Sequence, residues 1–98
     1  MKVESLANIV YVSSISVAEI MIKTSIGKLD ADFDPNEQID KAGFTPLDFT
    51  GRDAARLKDL PFHHRDPFDR MLIAQSLETG IPILTQDASF ARYDCSLL

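Results

Sequence analysis

Four carboxylates stand where side chains can do more than solvate a surface. Glu19 follows the β-branched run Ile9-Val10-Tyr11-Val12 and lies among apolar neighbours. Asp66 and Asp69 sit at the entrance of the nearly apolar stretch Phe68 to Leu77, and Asp87 follows Ile83-Leu84-Thr85. If such runs form parallel strands, their carboxyl ends and the helix starts that follow share one edge of the sheet, where sites form. Glu19 and Asp87 gather there by topology, and Asp66 and Asp69 join them if their loop enters from the same side. Carboxylates brought together repel, and a hard divalent cation relieves the repulsion. Mg²⁺ suits such a set because it keeps water ligands and takes few carboxylates. A structural reading stands beside this one. Ser16-x-x-Glu19 has capping-box spacing, and Asp66-x-x-Asp69 places a cap ahead of an acid at the third helical position. Asp87 can cap a short helix over Ala88 to Arg92. Residue chemistry alone leaves both readings open.

Around these acids, Arg65 and Arg70 are candidate phosphate contacts, since guanidinium forks match phosphate oxygens. His63 and His64 read as a polar loop, and Cys95, Met21 and Met71 as core filler. No Gly-rich phosphate loop, Gly-x-Ser-x-Gly elbow or His-Glu-x-x-His occurs, which removes nucleotide kinases, α/β-hydrolases and zincins.

The elements that must position these residues alternate. A strand over Ile9 to Val12 precedes a helix over Val17 to Lys23, with Ser16 as its N-cap and Gly27 past its end. Asp34-Pro35-Asn36-Glu37 opens a second helix closed by Gly43. Phe44 to Phe49 carries a short strand, and Thr50 caps a helix through Leu57. Asp66-Pro67-Phe68-Asp69 opens the strongest helix, which ends at Thr79 with Gly80 as terminator. Ile81 to Thr85 reads as a further strand, and the tail at Cys95 to Leu98 as a last one. Strands separated by helices predict an α/β sandwich around a parallel sheet.

The chain has 98 residues, a single domain's worth, and a formal charge of −5 from 10 Lys plus Arg against 15 Asp plus Glu. That balance disfavours non-specific coating of nucleic acid, while a local basic patch still reaches phosphates. A hydrophobic fraction of 45% with 26% charged residues is ordinary globular composition. One cysteine makes no internal disulfide, no apolar run has the length of a membrane span, and Met1 to Glu4 does not open a signal peptide. A cytoplasmic protein without membrane contact is the expectation.

Two stretches resemble a known family. Val12-Ser13-Ser14-Ile15-Ser16-Val17-Ala18-Glu19-Ile20-Met21-Ile22-Lys23, then Gly27-Lys28-Leu29, is similar to the second strand and following helix of PIN-domain proteins. Leu60 through Gln75, with Gly80-Ile81-Pro82-Ile83-Leu84-Thr85-Gln86-Asp87, resembles the VapC-type toxins of bacterial toxin–antitoxin pairs. The resemblance implies a three-layer sandwich and a Mg²⁺-dependent ribonuclease, with Mn²⁺ as substitute. It also implies a cognate antitoxin, an RNA substrate and a homodimer. The family's acids map to Glu19, Asp69 and Asp87 as catalytic ligands with Asp66 nearby, and Thr85 matches its supporting hydroxyl. That family opens on a hydrophobic strand ending in Leu-Asp-Thr. Nothing similar precedes Ile9 here, so the expectation for 1–98 is a PIN-like domain that is partial at its N-terminus, without the central first strand and its Asp. The rival expectation is a degenerate PIN module that binds an antitoxin or another subunit and cuts nothing. A phosphoacceptor receiver domain is set aside, because the final segment offers Arg92 and no lysine.

Overall fold

The computed structural model describes residues 2–4, 9–28, 33–62 and 66–82. Three strands, β1 (Lys2–Glu4), β2 (Val10–Ser13) and β3 (Thr45–Leu47), form one sheet in that order. β2 and β3 run parallel, with Ser13 opposite Leu47 at their carboxyl ends. β1 pairs antiparallel with β2 on its other side, Val3 opposite Tyr11. The described sheet is therefore mixed, where the pattern of runs predicts a parallel one. The segment ahead of Ile9 carries a strand, Lys2-Val3-Glu4, whose polar–apolar–polar alternation is too short to announce it.

Four helices surround this sheet: α1 (Ser14–Ser25), α2 (Pro35–Lys41), α3 (Gly51–Ala55), which continues as a 3₁₀ turn over Arg56–Asp59, and α4 (Pro67–Thr79). Most of their ends follow from local chemistry. Asp34 caps α2 by accepting from Asn36 N at 3.0 Å, with Pro35 at the first position, whose missing N–H costs nothing there. Thr50 and Asp53 close a reciprocal box on α3, at 3.2 Å and 2.9 Å. Gly80, at φ 73°, ends α4 in the left-handed conformation that favours glycine.

α1 departs from expectation. Its N-cap is Ser13, whose Oγ accepts from Ile15 N at 3.1 Å, so β2 runs directly into the helix. Ser16 lies inside the helix and is buried. With three serines in four positions, composition cannot choose the cap; the end of β2 chooses it.

The core sits along α4. Leu72, Ile73, Ala74, Gln75 and Ser76 are consecutive and all buried, so the middle of this helix is enclosed on every side, its two polar side chains hydrogen-bonded to backbone carbonyls. Ile73 packs with Leu60, Leu57 and Leu77, joining α4 to the turn after α3. Two long-range hydrogen bonds tie the helices to the carboxyl end of β3. Gln75 Nε2 donates to Leu47 O at 3.3 Å, and Phe49 N donates to Ser14 Oγ at 2.9 Å. α1 and α4 pack against each other, and α4 also packs on α3. Among the described residues no helix is long and apolar enough to cross a membrane.

Candidate active site

The start of α4 and one face of α1 carry the described acids of the candidate site. Moving the cap to Ser13 places Glu19 at the sixth position of α1, in its second turn, and the expected Ser16–Glu19 capping box does not form. There the backbone N–H groups are already bonded within the helix, so the Glu19 carboxylate turns to a side chain. Its Oε2 lies 2.9 Å from Lys23 Nζ, one helical turn further on. Glu19 is half-buried, whereas Lys23 reaches into solvent.

Asp66 is the N-cap of α4. Its Oδ1 accepts from Phe68 N at 2.9 Å and from Asp69 N at 3.3 Å, while its backbone carbonyl accepts from Arg70 N at 3.0 Å. Asp69 occupies the third helical position and is half-buried. The Lys23 ammonium is held above its ordinary value of 10.5 first by the hydrogen bond it donates to Glu19 and then by that carboxylate's charge. Desolvation opposes this, and the charges of Asp66 and Asp69 make the smallest contributions to the rise.

Arg70 faces away from the candidate role of phosphate contact in two of its bonds. Nη1 donates to Pro61 O at 3.1 Å and Nη2 to Leu60 O at 3.3 Å, and the guanidinium lies 4.4 Å from the Phe62 ring centre. It braces the chain that leads towards α4, and a phosphate would be met only by donors outside those two bonds. Asp87, Thr85, Arg65, His63, His64 and Cys95 lie outside the described residues, as do the strand beyond Pro82 and the helix proposed for 88–92. Among the described residues no three of Asp, Glu, His and Cys come close enough to enclose a metal ion.

The donors are nevertheless right in kind for a hard cation. All are carboxylate oxygens, from Asp66 and Asp69 at the start of α4 and from Glu19 on α1, and these two helices pack against each other. Lys23 is the residue that the search for site residues in the sequence overlooked. Its signal is the Glu19-to-Lys23 spacing of four on one helix face.

A family model described as PIN domain matches residues 2–95, a span that includes Thr85 and Asp87. The chain belongs to the PIN-domain family. This class is generally nuclease-like, and PIN nucleases commonly use Mg²⁺ or Mn²⁺. Comparison with curated proteins and with solved structures gives no match.

Proposed function

We propose that this protein is a metal-dependent endoribonuclease of the VapC toxin kind, restrained by a cognate antitoxin and acting as a homodimer. The observation that carries the nuclease reading is the match to the PIN-domain model over residues 2–95, beside the packing of α1, which bears Glu19, on α4, which Asp66 caps and whose first turn bears Asp69. The toxin assignment rests on the Leu60-to-Gln75 and Gly80-to-Asp87 stretches, which carry the VapC resemblance.

In this reading Glu19, Asp69 and Asp87 hold one or two Mg²⁺ or Mn²⁺, with Asp66 nearby and the Thr85 hydroxyl in support. The ion's chemistry is to acidify a bound water and to stabilise charge on the leaving oxygen of a phosphodiester. The chain's own residues do the rest. Asp66 fixes the first turn of α4 and with it the direction of Asp69. Burial of 72–76 keeps that helix from shifting under the charge repulsion of its start. Arg65 and Arg70 are the basic groups nearest in sequence to Asp66 and Asp69 for contact with an RNA phosphate.

The test is cleavage of a single-stranded RNA by the purified chain with Mn²⁺ and with chelator. Cleavage that needs the metal and disappears in Asp69→Asn supports the proposal. A folded chain that leaves RNA intact at millimolar Mn²⁺ would replace it with the non-catalytic binding module.

A further inference from the structure

Among the described residues Phe62 is the most exposed large apolar side chain, 70% open to solvent, and yet its place is fixed. The Arg70 guanidinium lies 4.4 Å from its ring centre and donates to the two carbonyls just ahead of it, Pro61 O at 3.1 Å and Leu60 O at 3.3 Å. The cation covers one face of the ring and ties down the chain that leads into it. With that face covered and most of the residue still in water, the opposite face is open. Beside the ring, Leu57, Pro67, Met71 and Arg70 complete a groove of about 460 Å³, within the range of ligand sites. A single exposed apolar residue is ordinary. A ring held by an arginine at the mouth of an apolar groove is not.

We propose that Phe62 is a stacking platform for a base of single-stranded RNA, held in position by Arg70. This inference deepens the ribonuclease reading and rests on it for the identity of the ligand. Single strands are held on aromatic faces, with arginine beside them, because every base offers a π-face. In the sequence the ring is followed by His63-His64-Arg65, and aromatic types next to basic ones suit bases and phosphates together. The groove and the acids share the start of α4 but not its faces. With about 3.6 residues per turn, Pro67, Arg70 and Met71 lie on one side of the helix and Asp69 on the other. The helix is about 10 Å across, so the stacked base belongs to a nucleotide beyond the scissile phosphate rather than beside it. Phe62 then fixes how the strand lies across α4. It selects single strands over duplex, whose bases are stacked on one another, and reads no particular base.

The experiment is fluorescence anisotropy of a labelled, mixed-sequence single-stranded RNA titrated with the full chain in EDTA, where metal-dependent cleavage does not intrude. Phe62→Ala is expected to weaken binding about tenfold, as the loss of one stacked base does. Phe62→Leu, apolar but without a π-face, should lose nearly as much. The chain contains no tryptophan, so Phe62→Trp introduces a single indole at the platform. That variant should keep its affinity, and single-stranded RNA should quench its emission where a duplex of the same sequence does not. Circular dichroism establishes that each variant is folded. Binding lost in Phe62→Ala sustains the platform even if wild type with Mn²⁺ cuts nothing, a result that overturns the nuclease reading alone. Unchanged affinity in Phe62→Ala, or an indole that single-stranded RNA does not quench, overturns the platform and leaves Mn²⁺-dependent cleavage to decide the nuclease reading. A fall in sedimentation mass for Phe62→Ala at unchanged RNA affinity also overturns it, and makes the ring a contact between copies of the chain. A wild type that neither binds nor cuts RNA overturns both.

Discussion

Asp66 carries two roles that a pair of substitutions separates. As N-cap of α4 it serves the helix through geometry, because Oδ1 takes the N–H groups of both Phe68 and Asp69. Pro67 has no N–H, and the Arg70 N–H is bonded to the Asp66 carbonyl at 3.0 Å, so these two bonds complete the first turn. Asp66→Ala removes them. The cap is exposed, so water recovers part of the loss, and the expected cost is about 1 kcal/mol, within the ~0.5–2 kcal/mol seen for such caps. For a domain of this size that lowers the melting temperature by about 4–8 °C.

Asp66→Asn keeps the capping oxygen and removes the charge. Asn caps about as well as Asp, so most of the stability should remain, with a loss of only a few tenths of a kcal/mol from the helix dipole. The same variant weakens the negative field at Lys23 and at any bound cation. Thermal melts with and without Mn²⁺ read both effects: a large fall without metal for Asp66→Ala, a small one for Asp66→Asn, and a reduced Mn²⁺ response for each. Should Asp66→Asn fall as far as Asp66→Ala without metal, the stabilising agent is charge, and the capping argument is refuted. No fall in Asp66→Ala would refute it equally.

Two further expectations concern the scaffold. Gly80→Ala should destabilise by about 1–2 kcal/mol, because φ is 73° and nothing lies within 4 Å of an added Cβ, leaving only the backbone penalty; a denaturant titration showing no change would mean that the end of α4 relaxes freely. Gln75→Glu should cost at least about 2 kcal/mol, since the side chain is 1% exposed, its Nε2 holds the Leu47 carbonyl at 3.3 Å and its Oε1 has no partner among the described residues. Gln75→Met should cost clearly less, and equal losses for the two would show that the site admits water.

The parts of this fold legible in the sequence are the ones fixed within a few residues. Asp34-Pro35 and Gly43 bound α2, Thr50 opens α3, and Asp66-Pro67 and Gly80 bound α4, because cap, proline and glycine act on the turn they occupy. The burial of Leu72, Ile73 and Ala74 likewise follows from the apolar run Met71 to Ala74, whereas that of Gln75 and Ser76 depends on the partners the fold brings them. What sequence could not give depends on distant chain. β1 exists because β2 offers it an antiparallel edge, and an alternation of only three residues is too short to signal that. The pairing of Lys23 with Glu19 was open to view in the spacing. The packing of α1, which bears Glu19, against α4, whose start bears Asp66 and Asp69, was not, since it depends on distant chain.

A small polar residue stands three positions ahead of an acid at Ser16–Glu19, Thr50–Asp53 and Asp66–Asp69, as it also does at Asp34–Glu37 and Thr45–Asp48, and the fold gives the first three of these pairs different outcomes. At α3 the box closes in both directions and Asp53 is 1% exposed, so its carboxylate is fixed to backbone and unavailable to a ligand. At α4 the cap holds its first turn while the charges of both acids still reach Lys23. At α1 the box is prevented altogether, because β2 ends at Ser13 and the helix begins three residues early. An acid at the third position is drawn back onto the N-cap N–H; at the sixth position no such donor is within reach, so the carboxylate must find a cation. The register of β2 against β3, with Ser13 opposite Leu47, thereby decides that Glu19 is a chemically available acid rather than a capping one. A strand end three residues later would have produced a stable helix start and removed the one carboxylate that α1 brings to α4.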